Sequence, residues 1–151
     1  MWIDERGSEV LPLAECRHLL ALGAKQGLVG HLGVPQDGAP LVLPVNFEVH
    51  GLDPVIRIGA GLFSEVSSAQ LVALEVDGTE SGRSWSVLVR GEAAEESAAW
   101  VAAHPVTPQV ADPGHHTVRI RADVVTGRRL LAGSPHISTS PSTTAADRLV
   151  R

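Results

Sequence analysis

Apolar side chains near the start of the chain recur at positions 13, 16, 19, 20 and 22, close to the spacing that places one stripe along a helix. Pro12 suits the first turn of that helix and Gly23 its exit. The period then changes. Residues 28–32, 41–49 and 55–58 read as strands, with Gln36-Asp37-Gly38 as the turn between the first two. Two glycines in Gly59-Ala60-Gly61-Leu62-Phe63-Ser64 interrupt the strand pattern and predict a loop. Residues 70–76 alternate with a mostly apolar character, which predicts a buried strand. A turn cluster over 77–82 leads into a further strand over 85–93. The alanine-rich stretch 95–103 favours a helix that stops at His104-Pro105.

Three prolines between 105 and 113 predict an irregular connection, and Thr117-Val118-Arg119-Ile120-Arg121 alternates as a last strand that 124–130 continues or turns from. Beyond Gly133 the chain is rich in Ser, Thr and Pro and buries too little to offset its ordering entropy, so one domain over 1–133 with a loose polar tail over 134–151 is expected. Six strands with two short helices, and no regular alternation of strand and helix, point to an antiparallel barrel or sandwich rather than a parallel sheet. No internal repeat is visible.

The length of 151 residues suits one ordinary domain with a single core. A net charge of -5 gives no broad attraction to phosphate backbones or anionic membranes, and three Trp, two Phe and no Tyr leave few platforms for stacking bases. Neither nucleic acid nor membrane is expected as a partner. The apolar runs are far shorter than the ~20 residues that span a bilayer. Residues 1–25 mix Asp4, Glu5, Arg6 and Glu9 ahead of any apolar run, unlike a secretory leader, so a cytoplasmic location is expected. The lone Cys16 cannot form an internal disulfide, and its helical apolar position suits a small buried hydrophobe better than a nucleophile. The hydrolase elbow G-x-S-x-G is absent.

Several candidates for chemistry remain. An anion could rest on the amides of Gly59-Ala60-Gly61 with the Arg57 guanidinium beside it; a glycine turn next to a surface arginine is the simpler reading without a following helix. His115 and His116, with His104 and His136, suggest a metal, but neighbours on a strand point to opposite faces, so no metal is expected. Trp85 suits a flat ligand and a core plug equally. Arg128 and Arg129 fit an anion clamp or surface ion pairs.

Taken in order, Leu11-Pro12-Leu13-Ala14-Glu15-Cys16, Leu43-Pro44-Val45-Asn46-Phe47, Arg57-Ile58-Gly59-Ala60-Gly61, Glu75-Val76-Asp77, Trp85-Ser86-Val87-Leu88-Val89-Arg90-Gly91, Val118-Arg119-Ile120 and Thr126-Gly127-Arg128-Arg129 resemble the pyridoxamine 5'-phosphate oxidase-like family, in its flavin-binding split-barrel branch. The likeness covers roughly residues 10 to 131 and lies in the order and spacing of the blocks. It implies a mainly β fold, a six-stranded antiparallel Greek-key split barrel with short helices, forming a homodimer with two FMN sites at the interface. By this resemblance Pro44, Val45 and Asn46 line the isoalloxazine, and Arg57, Ile58, Gly59 and Gly61 run beside the ribityl phosphate. Trp85, Ser86 and Val87 approach the ring, and Arg128 and Arg129 close the site or reach across the dimer.

Two departures stand out. Many relatives carry Gly-Ser-Lys where this chain has Gly61-Leu62-Phe63, so the lysine charge is missing and Ser64 is left to supply the hydroxyl. Loss of one charge-assisted contact costs about 1.5 to 3 kcal/mol. His115-His116 stands where relatives have an acidic residue and an aromatic one. The resemblance implies an FMN-dependent oxidoreductase of an unspecified small molecule. The alternative is a non-enzymatic split-barrel protein, cofactor-free or binding a deazaflavin or haem. Oxidation of pyridoxamine phosphate itself is not expected, because the extra basic and aromatic substrate positions are missing.

Overall fold

The structure, a computed structural model, describes residues 2–5, 7–104 and 115–130. The connection expected over 105–113 and the tail expected over 134–151 lie outside the described residues. Two short strands, β1 (Trp2–Ile3) and β2 (Ser8–Leu11), precede helix α1 (Leu13–Lys25). Strands β3 (Gly30–Val34), β4 (Leu41–Val45), β5 (Phe47–His50) and β6 (Asp53–Ile58) lead to helix α2 (Ala60–Ala69). Then come β7 (Leu71–Glu80), β8 (Arg83–Glu95), the short α3 (Ala98–Ala103) and β9 (His116–Leu130). No helix among the described residues is long and apolar enough to cross a membrane.

The nine described strands form one sheet in the order β1-β2-β9-β8-β7-β3-β4, with β5 paired to β6 and β6 joined to β9. Every pairing is antiparallel. This mainly β architecture with few helices is consistent with a split barrel. The expected count of six becomes nine for two reasons. The polar start of the chain pairs with the far end of β9, Ser8 opposite Leu130 and Leu11 opposite Gly127. The expected strand over 41–49 breaks at Asn46 into β4 and β5.

Alternation sets which side chains enter the core. Val72, Leu74 and Val76 of β7 and Trp85, Val87 and Val89 of β8 are all buried, and the residues between them face outward. Helix α1 lays Cys16, Leu19, Leu20 and Gly23 on the same core, a spacing of three and four residues. Its N-cap is Pro12, whose carbonyl accepts from the Glu15 and Cys16 amides at 3.0 and 3.1 Å. The helix does not end at Gly23 but runs to Lys25. Gly23 and Gly78 leave room for the Trp85 indole: a Cβ on them would stand 3.4 and 2.9 Å from its ring atoms.

The expected loop over 59–64 is the start of α2 instead. Gly59 is its N-cap in extended conformation, and one glycine in the first turn, Gly61, is a local penalty of roughly 1 kcal/mol. Burial of Val66 and packing of Leu62, Phe63 and Ala69 against the core outweigh that local preference.

Gly127 is where helix α1 comes close to β9. A Cβ there would lie 2.5 Å from the Cys16 Sγ and 3.3 Å from Leu11. Gly127→Ala is expected to destabilise the fold by about 1 to 3 kcal/mol through overpacking, read as a lower urea midpoint with unchanged slope.

Candidate functional site

Ile56 and Ile58 of β6 are buried in the core, so Arg57 between them points to the other face, opposite Thr117 of β9. It is half-buried and, among the described residues, makes no ion pair. Arg83, Arg119, Arg128 and Arg129 all hold carboxylates. Arg17, Arg90 and Arg121 pair with none but are exposed. Two residues after Arg57 the N-terminus of α2 begins, with the Gly59 carbonyl accepting from the Phe63 amide at 2.9 Å. That turn has no side-chain cap and no acidic residue, so its first amides and the positive end of the helix dipole are unpaired by any side chain, two residues along the chain from Arg57. Gly61 is exposed on the same turn and Ser64 at the start of the next. Such an arrangement favours an anion.

The same turn is braced by a ring stack. Phe63 and His116 lie parallel, with centroids 3.9 Å apart and an interplanar angle of 3°. His116 Nδ1 is also 2.8 Å from Glu95 Oε1. The imidazole is thus held between Phe63 of α2 and Glu95 of β8. Among the described residues, His104, His115 and His116 form no metal-ligand group, and His136 lies outside them.

The remaining predicted residues divide by face. Trp85 is 2% exposed and Val87 is fully buried, so both side chains belong to the core; the indole Nε1 has no hydrogen-bond partner among the described residues. Ile58 and Val45 also turn inward. Of the three consecutive residues expected to approach a ring, Trp85, Ser86 and Val87, the two-residue period turns only the Ser86 side chain outward. It lies opposite Asp77 on one side and Arg128 on the other. Pro44 and Asn46 are exposed at the end of β4, with Pro44 opposite His31. Pro44, Ser86 and Arg128 thus share the outer face of the sheet.

Arg129 is not available to clamp a ligand. Its side chain is 13% exposed, with Nη2 at 2.7 Å from Glu15 and 3.5 Å from Glu80, and Nη1 at 3.7 Å from Glu9. These acids, the Glu15 hydrogen bond foremost, hold its pKa above the ordinary guanidinium value. Arg128, by contrast, is half-exposed and pairs with Asp4 at 3.2 Å. Glu80 also hydrogen-bonds His18 at 3.0 Å, which raises the imidazole pKa.

Sequence reasoning missed a second cluster on the outer face. His31 Nδ1 lies 3.1 Å from Glu75 Oε2 and 3.9 Å from Asp77 Oδ1. Partial burial raises the Glu75 carboxyl above its usual range, the His31 hydrogen bond opposes this, and Asp77 adds to it. Glu75 and Asp77 are two residues apart, but His31 is 44 residues from Glu75, and only strand register could have brought it to them.

The family model for pyridoxamine 5'-phosphate oxidase matches residues 13–129. Among solved structures, the FAD-binding protein from Mycobacterium smegmatis is 29% identical with a TM-score of 0.67, over 83% of this chain and 100% of its own. A Corynebacterium glutamicum protein with a provisional pyridoxamine 5'-phosphate oxidase designation is 25% identical with a TM-score of 0.67, over 82% of this chain and 98% of its own. A haem-binding protein from Mycobacterium smegmatis shares the fold at a TM-score of 0.60 and 16% identity, over 78% of this chain and 54% of its own. Among curated proteins none matches significantly.

Two measurements check the ionic network. Arg129→Met leaves three carboxylates without their central cation and is expected to cost about 1 to 3 kcal/mol in chemical denaturation. His18, whose folded pKa is raised, contributes stability that is fully present below the free imidazole value near ~6.5 and fades as pH rises through the raised midpoint. Its NMR titration should show that higher midpoint, and Glu80→Gln should return it toward the free value.

Proposed function

This chain belongs to the pyridoxamine 5'-phosphate oxidase family, and from that membership we propose that it binds FMN and serves as a flavin-dependent oxidoreductase acting on a small molecule. The observation that carries the reading is the half-buried Arg57 guanidinium, without an acid partner among the described residues, at the uncapped N-terminus of α2. A terminal phosphate meets both requirements of that corner, a full positive charge and unsatisfied amide donors. FAD binding by the 29% identical mycobacterial protein supports a flavin in this fold.

In this reading Arg57, the first-turn amides of α2 and the Ser64 hydroxyl hold the phosphate. Leu62 and Phe63 stand where many relatives have Ser and Lys, so Arg57 carries the charge pairing there. Pro44, Asn46 and Ser86 flank the ring on the outer face, and the Phe63–His116 stack keeps the phosphate turn rigid. Once bound, the flavin supplies hydride or electron transfer. The protein's part is to orient it and exclude water from one side.

We also propose a homodimer. Val42, Gly33, Ala73, Arg90 and Val124 lie in one row across β4, β3, β7, β8 and β9, and Val42 and Leu71 on this face are 62% and 59% exposed. The exposed Val42 and Val124 at the ends of this row, with Leu71 beside it, offer apolar contact to a second copy around the single charge of Arg90. A cytoplasmic location is part of the same reading. The missing lysine favours a second possibility, a deazaflavin or haem or a cofactor-free binding role; haem binding by a fold neighbour supports keeping it.

An absorption spectrum of the purified chain, before and after FMN addition and desalting, tests the proposal. A retained flavin band is expected; no uptake at micromolar FMN removes the reading, and a Soret band selects haem. Arg57→Ala is expected to weaken FMN binding roughly ten- to a hundredfold with an unchanged melting temperature. Equal loss of melting temperature and binding would make Arg57 a structural residue instead.

A further inference from the structure

We propose that His31, Glu75 and Asp77 form a binding site for one divalent transition-metal ion on the outer face of the sheet. The ladder between β3 and β7 sets His31 directly opposite Glu75, and the two-residue period brings Asp77 to the same face one step along. One ligand atom from each of the three lies within 4.8 Å of the others. Zinc at its usual ~2.0 to 2.2 Å from N and O ligands holds them about 3.3 to 3.6 Å apart in tetrahedral geometry. The observed separations from His31 Nδ1, 3.1 and 3.9 Å, bracket that span. The ion would take the place of the proton shared between Nδ1 and the Glu75 carboxylate. Solvent reaches the cluster and can complete the coordination.

The chemistry of the donors narrows the ion. One imidazole with two carboxylates suits zinc and its first-row neighbours, whereas magnesium and calcium prefer oxygen alone. A second cluster shows what a satisfied acidic group looks like in this chain. Glu15, His18 and Glu80 also converge, but Arg129 stands among them at 2.7 and 3.5 Å from the two acids and already supplies the cation. No Lys or Arg among the described residues pairs with Glu75 or Asp77; His31 is the partner of both. Two carboxylates therefore face one imidazole with a cation's position still open, on a rigid ladder that fixes their spacing.

His31 lies opposite Pro44 and Asp77 opposite Ser86, so the ion would sit next to the face proposed for the flavin; the inference itself does not rest on flavin, and its test uses none. The full chain, stripped with chelator, is titrated with Zn²⁺ by calorimetry and with Co²⁺ by visible absorption. One ion per chain is expected, with Co²⁺ bands typical of low coordination, and no displacement by excess Mg²⁺. Second-sphere changes alone weaken metal sites by ~10- to 100-fold, so His31→Gln and Asp77→Asn, each losing a ligand, should bind at least ~10-fold more weakly. His18→Gln should bind as the unaltered chain does. Melting temperatures without metal keep loss of fold apart from loss of site. Absence of binding, wild-type affinity in folded His31→Gln and Asp77→Asn, or loss of binding in His18→Gln would each overturn the proposal, the last by moving the ion to the other cluster.

Discussion

Strand β9 carries the hydrogen bonds on which the rest of the molecule depends. One edge pairs with β8 from Glu95 opposite Val118 to Trp85 opposite Arg129, while the other is divided between β6 and β2. A strand bonded on both edges cannot slip by one residue without sending its buried Val118 and Ile120 to solvent. That register fixes the position of Arg57 through Thr117 and of the N-terminal strands through Gly127 and its neighbours. The close approach of Cys16 to Gly127 then ties α1 to the same strand.

Charge follows from this framework. Arg129 at the far end of β9 meets acids from β2, α1 and β7, three elements distant in sequence. Near the other end Arg119 is held by Glu96 and Asp53, with its guanidinium 5.3 Å from the centre of the Trp100 ring on α3. These arginines brace the ends of the sheet. Arg57 lies on the neighbouring strand opposite Thr117, beyond Arg119, with no acid partner among the described residues, which is why the functional reading centres on it rather than on the arginines nearer the C-terminal end of β9.

Much of the candidate site was visible in the residue order and was then rearranged by facing. Arg57, Gly59 and the turn after them do meet, because they are consecutive and one strand end leads directly into one helix start. Trp85, Ser86 and Val87 are equally consecutive, yet the pleat separates them, and the tryptophan goes inward where Gly23 and Gly78 make space for its ring. The glycines at 59 and 61 looked like a loop because local propensity counts against a helix. Burial of Val66, a tertiary effect, decided otherwise.

By itself the sequence determined the class of fold, the limits of most inner strands, the stripe of α1 and the family, since these follow from short-range periodicity and from the order of motif blocks. The pairing of the polar N-terminus with β9, the enclosure of Arg129 by three acids and the meeting of His31 with Glu75 and Asp77 were decided only in three dimensions. Each joins residues far apart in the chain through strand register. Register is set by the simultaneous burial of every strand's apolar face, and no single segment of sequence contains that condition.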